Sequence, residues 1–193
     1  MIKDKDGELT LRERLVLAGI DEISANGVQN FSVRRVAAVC GVSCATPYKH
    51  FPSRADFFAA IIEYINTLWH QRQEKIIAVY PKDLRKQLVE ISREYIRFLV
   101  ENPHFRSVIM MKDESIDSKY TSLRGRLSKC TQDLLRVFCA SVGMPPEVEL
   151  RKTFLVRSMI YGAALMFDNG EVPYTEENFD MVVDTINREF DLP

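Results

Sequence analysis

The side chains with the most chemistry to offer are crowded between Ser32 and Arg54, in SVRRVAAVCGVSCATPYKHFPSR. Tyr48, Lys49, His50 and Arg54 put a phenol, an ammonium, an imidazole and a guanidinium within one short stretch. Such groups hold phosphate oxygens, and they do so without reading bases. Just upstream, Ser43, Cys44, Ala45 and Thr46 offer hydroxyls for base edges and small surfaces that pack on thymine methyls. None of those four can make the bidentate contact of arginine to guanine, so base discrimination by them is modest at each position. Ser32 and Arg34 add a hydroxyl and a guanidinium at the start of the stretch.

The elements that position these groups are legible too. Ser32 is a suitable N-cap for a helix carrying Val33, Val36, Ala37 and Val39 on its buried side. Gly41 ends that helix, because glycine reaches positive φ without steric cost, and Cys40-Gly41-Val42 reverses the chain in three residues. Ser43 is expected to cap a second helix. Two short helices around so tight a turn leave the second one protruding, as entry into a major groove requires. The whole chain has a net charge of −1, but residues 9–54 hold Arg12, Arg14, Arg34, Arg35, Lys49 and Arg54 against Glu13, Asp21 and Glu22. The surplus of positive charge is therefore local, which suffices for phosphate contact.

From Arg12 to Ser43 the chain reads RERLVLAGIDEISANGVQNFSVRRVAAVCGVS, continuing through Tyr48-Lys49-His50-Phe51-Pro52-Ser53-Arg54 into FFAAII. At these residues it resembles the N-terminal domain of the TetR/AcrR family of bacterial transcriptional regulators. The resemblance rests on several features at family spacing: a first helix ending in Asn26-Gly27, a capping hydroxyl before helix 2, the GVS turn, and Tyr48 and Phe51 before a Pro-Ser-basic triplet. Two departures stand out. Cys44 occupies a place where relatives often carry a polar or basic residue, and Pro47 sits within the recognition helix. Proline there removes an amide donor, so the first turn should be irregular or start late.

The remainder reads as helix throughout. Ser53 should cap a long helix from Arg54 to Val79, and Leu84, Leu88, Ile91, Tyr95, Phe98 and Leu99 mark the next up to Pro103. A short helix follows at 104–111, then a longer one opened by Ser115 or Ser118 and ending near Gly143. Pro145-Pro146 restarts the chain to about Phe167, and Thr175 opens the last helix, to Phe190. The expectation is an all-α protein of about nine helices. Residues 1–54 form a three-helix, helix-turn-helix DNA-binding domain, and 55–193 a helical effector-binding and dimerisation domain.

The resemblance implies that this second domain binds a small effector and pairs two subunits. Candidate effector residues are Trp69, Phe98, Phe105, Met110, Phe154, Arg157 and Met159, with Tyr64, Met111 and Phe167 in the wider aromatic and sulfur-bearing set, although such side chains at helical spacing more often fill a core. Arg157 is the single charge inside an apolar run. It could meet an anionic effector, pair with a carboxylate across a dimer, or reach to water along its own stem. For dimerisation the residues are Gly162, Ala163 and Met166 of the eighth helix, with Phe179, Val182, Val183 and Ile186 of the ninth.

Other classes find little support. No GxSxG, HExxH, Walker or dinucleotide-binding glycine motif occurs, and His50, His70 and His104 lie far apart, so no enzyme is expected. Cys40, Cys44, Cys130 and Cys139 are scattered singly, without metal-ligand spacing; reduced thiols, no metal and no cofactor are expected. The chain shows neither a signal peptide nor a span of membrane length, which points to the cytoplasm. The function expected is a sequence-specific DNA-binding regulator, a homodimeric repressor released from a palindromic operator by an unknown small molecule. A second reading, prompted by Cys44 and Pro47, is an all-helical ligand-binding or interaction protein with degenerate DNA binding.

Overall fold

A computed structural model describes residues 9–110, 114, 123 and 125–191. The described residues hold nine helices: α1 (Leu11–Asn26), α2 (Val33–Val39), α3 (Thr46–His50), α4 (Arg54–Val79), α5 (Leu84–Glu101), α6 (Pro103–Met110), α7 (Arg126–Ser141), α8 (Pro146–Asp168) and α9 (Glu176–Glu189). The chain divides into two compact units, Met1–Thr67 with His104–Gly125, and Leu68–Pro103 with Arg126–Pro193. Met111 and the expected helix start at Ser115 or Ser118 lie outside the described residues. No described helix is long and apolar enough to cross a membrane.

The first unit begins with a reciprocal cap. Thr10 Oγ1 accepts from the Glu13 amide at 3.2 Å, and the Glu13 carboxylate accepts from the Thr10 amide at 2.9 Å. Leu15, Val16, Ile20 and Ile23 of α1 are buried. Between them Gly19 lets α4 come close, since a Cβ there would lie 2.6 Å from Phe57 Cε1. Phenylalanines fill the rest of this core. Phe31 lies 5.3 Å from Phe57 and 4.8 Å from Phe58 between ring centroids, and Phe51 lies 4.3 Å from Phe57. Offset and edge-on arrangements at such distances add to what area burial alone supplies.

Ser53 starts α4 as expected, its hydroxyl accepting from the Asp56 amide at 3.2 Å. Two expectations for the preceding helices need correction. Val39 is exposed, because it falls off the stripe marked by Val36 and Ala37, and those two alone are the buried residues of α2. Ser43 does not cap α3, whose N-cap is Ala45 with no side-chain hydrogen bond.

The second unit is arranged about α5, which packs against α7, α8 and α9. Asp83 caps α5, accepting from the Lys86 amide at 2.8 Å. The buried indole of Trp69 donates to the Leu127 carbonyl at 3.0 Å, so its one polar atom is satisfied. Phe179 anchors α9 in this core, with the guanidinium groups of Arg93 and Arg97 at 5.5 and 5.2 Å from its ring centroid. Lys152 of α8 is fully buried. Its ammonium donates to the Glu189 carbonyl in the last turn of α9, where a positive charge suits the helix dipole. Burial lowers the Lys152 pKa below its ordinary value, with the Glu189 carboxylate acting in opposition.

Candidate nucleic-acid interface

The turn between α2 and α3 is built on a Schellman motif. Gly41 has φ +69°, its amide donates to the Ala38 carbonyl at 3.1 Å, and the Val42 amide donates to the Ala37 carbonyl at 3.0 Å. A Cβ at Gly41 would meet nothing within 4 Å, so glycine is required by backbone conformation rather than by space. At the other end of α2, Ser32 Oγ accepts from the Arg35 amide at 3.4 Å, confirming the N-cap.

Helix α3 begins at Thr46 and carries Pro47 in its first turn. There the missing amide costs nothing, because the first turn of a helix has no intrahelical acceptor for it. Pro47 is also buried, so the ring faces inward and leaves the surface to its neighbours. The expected late start is thus what is seen. Ser43, Cys44, Ala45, Tyr48, Lys49 and His50 are all exposed around this short helix, and Thr46 is half-buried. Ser43 Oγ and Thr46 Oγ1 lie 2.9 Å apart, so the two hydroxyls are held as a pair at the helix start.

The basic residues divide into braces and exposed cations. Arg35 forms an ion pair with Glu22, its Nε and Nη2 both donating to Glu22 Oε1, and also donates to the Asn30 carbonyl at 2.6 Å, fastening the start of α2 to α1. This contact lowers the Glu22 pKa. Arg14 donates to the Cys40 carbonyl at 3.1 Å, and Arg12 lies 5.3 Å above the Phe51 ring. Arg54 donates to the Val28 carbonyl at 2.9 Å and lies 5.1 Å above Phe58. Arg34 and Lys49 are exposed and take part in no hydrogen bond or ion pair among the described residues. The braces were invisible in sequence, because they depend on where carbonyls and rings come to rest.

The remaining candidates fall elsewhere. Phe105 and Met110 belong to the first unit; Trp69, Phe98, Phe154, Arg157 and Met159 belong to the second. Trp69, Phe98 and Phe105 are buried, whereas Met110 and Phe154 are 59% and 68% exposed. Ala163, Phe179, Val183 and Ile186 face the core of their own unit, while Gly162 and Val182 are half-buried and Met166 is exposed. Leu150 at 74% and Leu165 at 47% exposed join Phe154 as large apolar side chains on the outer face of α8.

A tightly turned α2–α3 pair with small residues and cations on its outer surface defines a helix-turn-helix DNA-binding protein. Residues 15–61 match the family model of bacterial regulatory proteins, tetR family. Residues 15–61 are thus a DNA-binding domain of that family's type. Among curated relatives it is 28% identical over 118 residues to the nucleoid occlusion factor SlmA of Photobacterium profundum, a match covering 58% of this chain and 60% of that protein. Its fold is similar to that of a Rhodococcus protein of unknown function, with a TM-score of 0.77, 18% identity and 97% of both chains covered. It is also similar to that of the transcriptional regulator FadR from Bacillus subtilis, solved with stearoyl-CoA, with a TM-score of 0.72, 11% identity, and 92% and 96% of the two chains covered.

Proposed function

We propose that the protein is a homodimeric repressor that binds a palindromic operator through α3 and leaves it when a small molecule binds the C-terminal helices. In this reading residues 1–54 are the reading domain and 55–193 the effector and dimerisation domain. The observation that carries it is the exposed set Ser43, Cys44, Ala45, Tyr48 and Lys49 on the far side of the Gly41 turn. Lys49, Arg34, Tyr48 and His50 contact phosphates, while Ser43, Cys44, Ala45 and Thr46 meet base edges and thymine methyls. Ser32, as a cap, and Arg54, as a brace, act on DNA through the geometry they maintain. Selection of bound sequences from a random pool, followed by footprinting, tests the proposal. Two half-sites centred about one or more helical turns apart support it; an absence of any selected sequence overturns it.

Pairing of two copies is supported by the outer face of α8. Phe154 and Leu165 are exposed there, and a Cβ at half-buried Gly162 would meet nothing within 4 Å of this chain. Glycine in a helix interior costs roughly 1 kcal/mol relative to alanine, and a second helix approaching closely accounts for it. Phe179, Val183 and Ile186 support this face from within, rather than touching the partner. Phe154→Glu with Leu165→Glu should give a monomer by light scattering and a large loss of operator affinity. A monomeric unaltered protein at micromolar concentration would overturn the pairing.

A further inference from the structure

Between Glu22 and Asp56 the sequence holds no Asp or Glu, while it holds Arg34, Arg35, Lys49 and Arg54. Glu22 is the carboxylate turned toward this stretch from α1, and its side chain is 9% exposed. Its Oε1 accepts from Arg35 Nε at 2.8 Å, from Nη2 of the same guanidinium, and from the Ser32 amide at 3.3 Å. Its Oε2 accepts from Asn26 Nδ2 at 3.0 Å. Asn26 closes α1, Ser32 caps α2 and Arg35 stands in the first turn of α2. A single charge therefore gathers both ends of the connecting loop and the start of the reading unit. The hydrogen bond from Arg35 lowers the Glu22 pKa, so the carboxylate stays charged.

The two neighbouring arginines of α2 are treated differently. Arg34 is exposed and takes part in no hydrogen bond or ion pair among the described residues. Arg35 is held by Glu22 although its side chain is 51% exposed, so the carboxylate rather than burial decides where its charge lies. Without that carboxylate a second mobile cation would stand beside Arg34. Phosphate contacts carry no sequence information, so a mobile cation strengthens binding to any DNA. A non-specific complex is free to shift until a loose guanidinium meets a phosphate, whereas on the operator the base contacts fix where α2 lies. We propose that Glu22 is a positioning residue that sets the discrimination between operator and other DNA, by holding Arg35 in the frame of the helix-turn-helix and off the phosphate backbone. The inference rests on the operator reading above and names a residue that governs its specificity.

The test titrates the full chain, over a range of salt, with the selected operator and with a scrambled duplex of the same length and composition. Glu22→Gln keeps the size of the side chain and removes its charge. On the scrambled duplex it should bind several-fold more tightly, with a salt slope steeper by about one unit, as one added phosphate contact requires. Operator affinity should not rise, so the ratio of the two affinities should fall by about tenfold. Adding Arg35→Gln to Glu22→Gln should restore the slope of the unaltered protein. Arg35→Gln alone should leave that slope unmoved, and it serves even if Glu22→Gln perturbs the fold. Equal weakening on both duplexes at an unchanged slope would make Glu22 merely structural and overturn the proposal. So would a slope that fell by one unit in Arg35→Gln, since Arg35 would then already be a phosphate ligand. The scrambled duplex needs no operator, which separates the two ideas. A steepened slope without any selected operator upholds the hold on Arg35 and sinks the operator reading, while a selected operator with an unmoved slope does the reverse.

Discussion

The two units use the same devices to opposite ends. In the first, a glycine turn and its flanking caps fix an exposed set of side chains, and the buried residues exist to hold that set in place. In the second, an equivalent turn at Gly143, with φ +71° and the Met144 amide donating to the Cys139 carbonyl at 2.9 Å, merely returns the chain from α7 to α8. Its distinctive side chains, Trp69, Tyr95, Phe98 and Lys152, are buried. Identity in the first unit is carried by what faces out, and in the second by what faces in. A surface that reads DNA tolerates few choices of spacing, whereas a helical core is satisfied by any residues of suitable volume.

The largest test of this contrast removes one fully buried ring from each unit. Phe57→Ala and Phe179→Ala should each cost about 3–5 kcal/mol, the usual range for deleting a buried aromatic side chain. Trp69 fluorescence reports on the second unit only, so in denaturant its midpoint should fall with Phe179→Ala and hold with Phe57→Ala. Amide exchange in α1–α3 should show the converse. Equal shifts by both probes would mean that the two units unfold as one.

The two glycine turns give a finer comparison. Neither Gly41 nor Gly143 has space limits on a Cβ, so alanine at either position costs only the left-handed conformation, about 1–2 kcal/mol. Gly41→Ala should also reorient α3 and lower operator affinity. Gly143→Ala should lose the same stability and leave the operator affinity of the folded protein unchanged. If Gly143→Ala weakened DNA binding as much, the separation of roles would fail.

How far the sequence disclosed each unit follows from the same contrast. Ser32, Gly41, Ser53 and Thr175 were readable because capping and chain reversal depend on a residue and its immediate neighbours. Thr10 and Glu13 carried an equally local signal, a threonine followed three residues later by glutamate. Arg54 looked like a phosphate ligand, yet its guanidinium lies against Phe58 and the Val28 carbonyl, 26 residues away in sequence. Ala163 was legible as a small residue for close packing but not as one facing its own core. The Tyr95–Tyr161 contact joins residues 66 apart, and no pattern within either helix announces it.

Cations in the first unit can be sorted by salt dependence. Lys49→Ala should lower the dependence of operator affinity on salt by about one unit of slope, as loss of one phosphate contact does. Arg54→Ala should leave the slope closer to its original value and lower stability instead, because Arg54 is engaged with Val28 and Phe58. Measured slopes that fell equally in both would put Arg54 back among the phosphate ligands.

The smallest expected effects are in pH, and they run in opposite directions. Glu22 has a lowered pKa, chiefly through its hydrogen bond with Arg35, so its contribution is complete above about 4.5 and is lost as pH falls through the folded value. Arg35 is half exposed, so this contribution is modest and weakens with added salt. Lys152 also has a lowered pKa, but for a base this means that the unfolded chain holds the proton more tightly. Stability should therefore rise with pH between the folded value and the ordinary 10.5, as the cost of burying the charge is relieved. Amide exchange across α1–α3 in Glu22→Gln should lose its acid dependence while the Trp69 midpoint keeps its alkaline rise. Lys152→Met should remove that rise and leave the acid limb intact. An alkaline rise that persisted without Lys152 would show that its ammonium is not the group responsible.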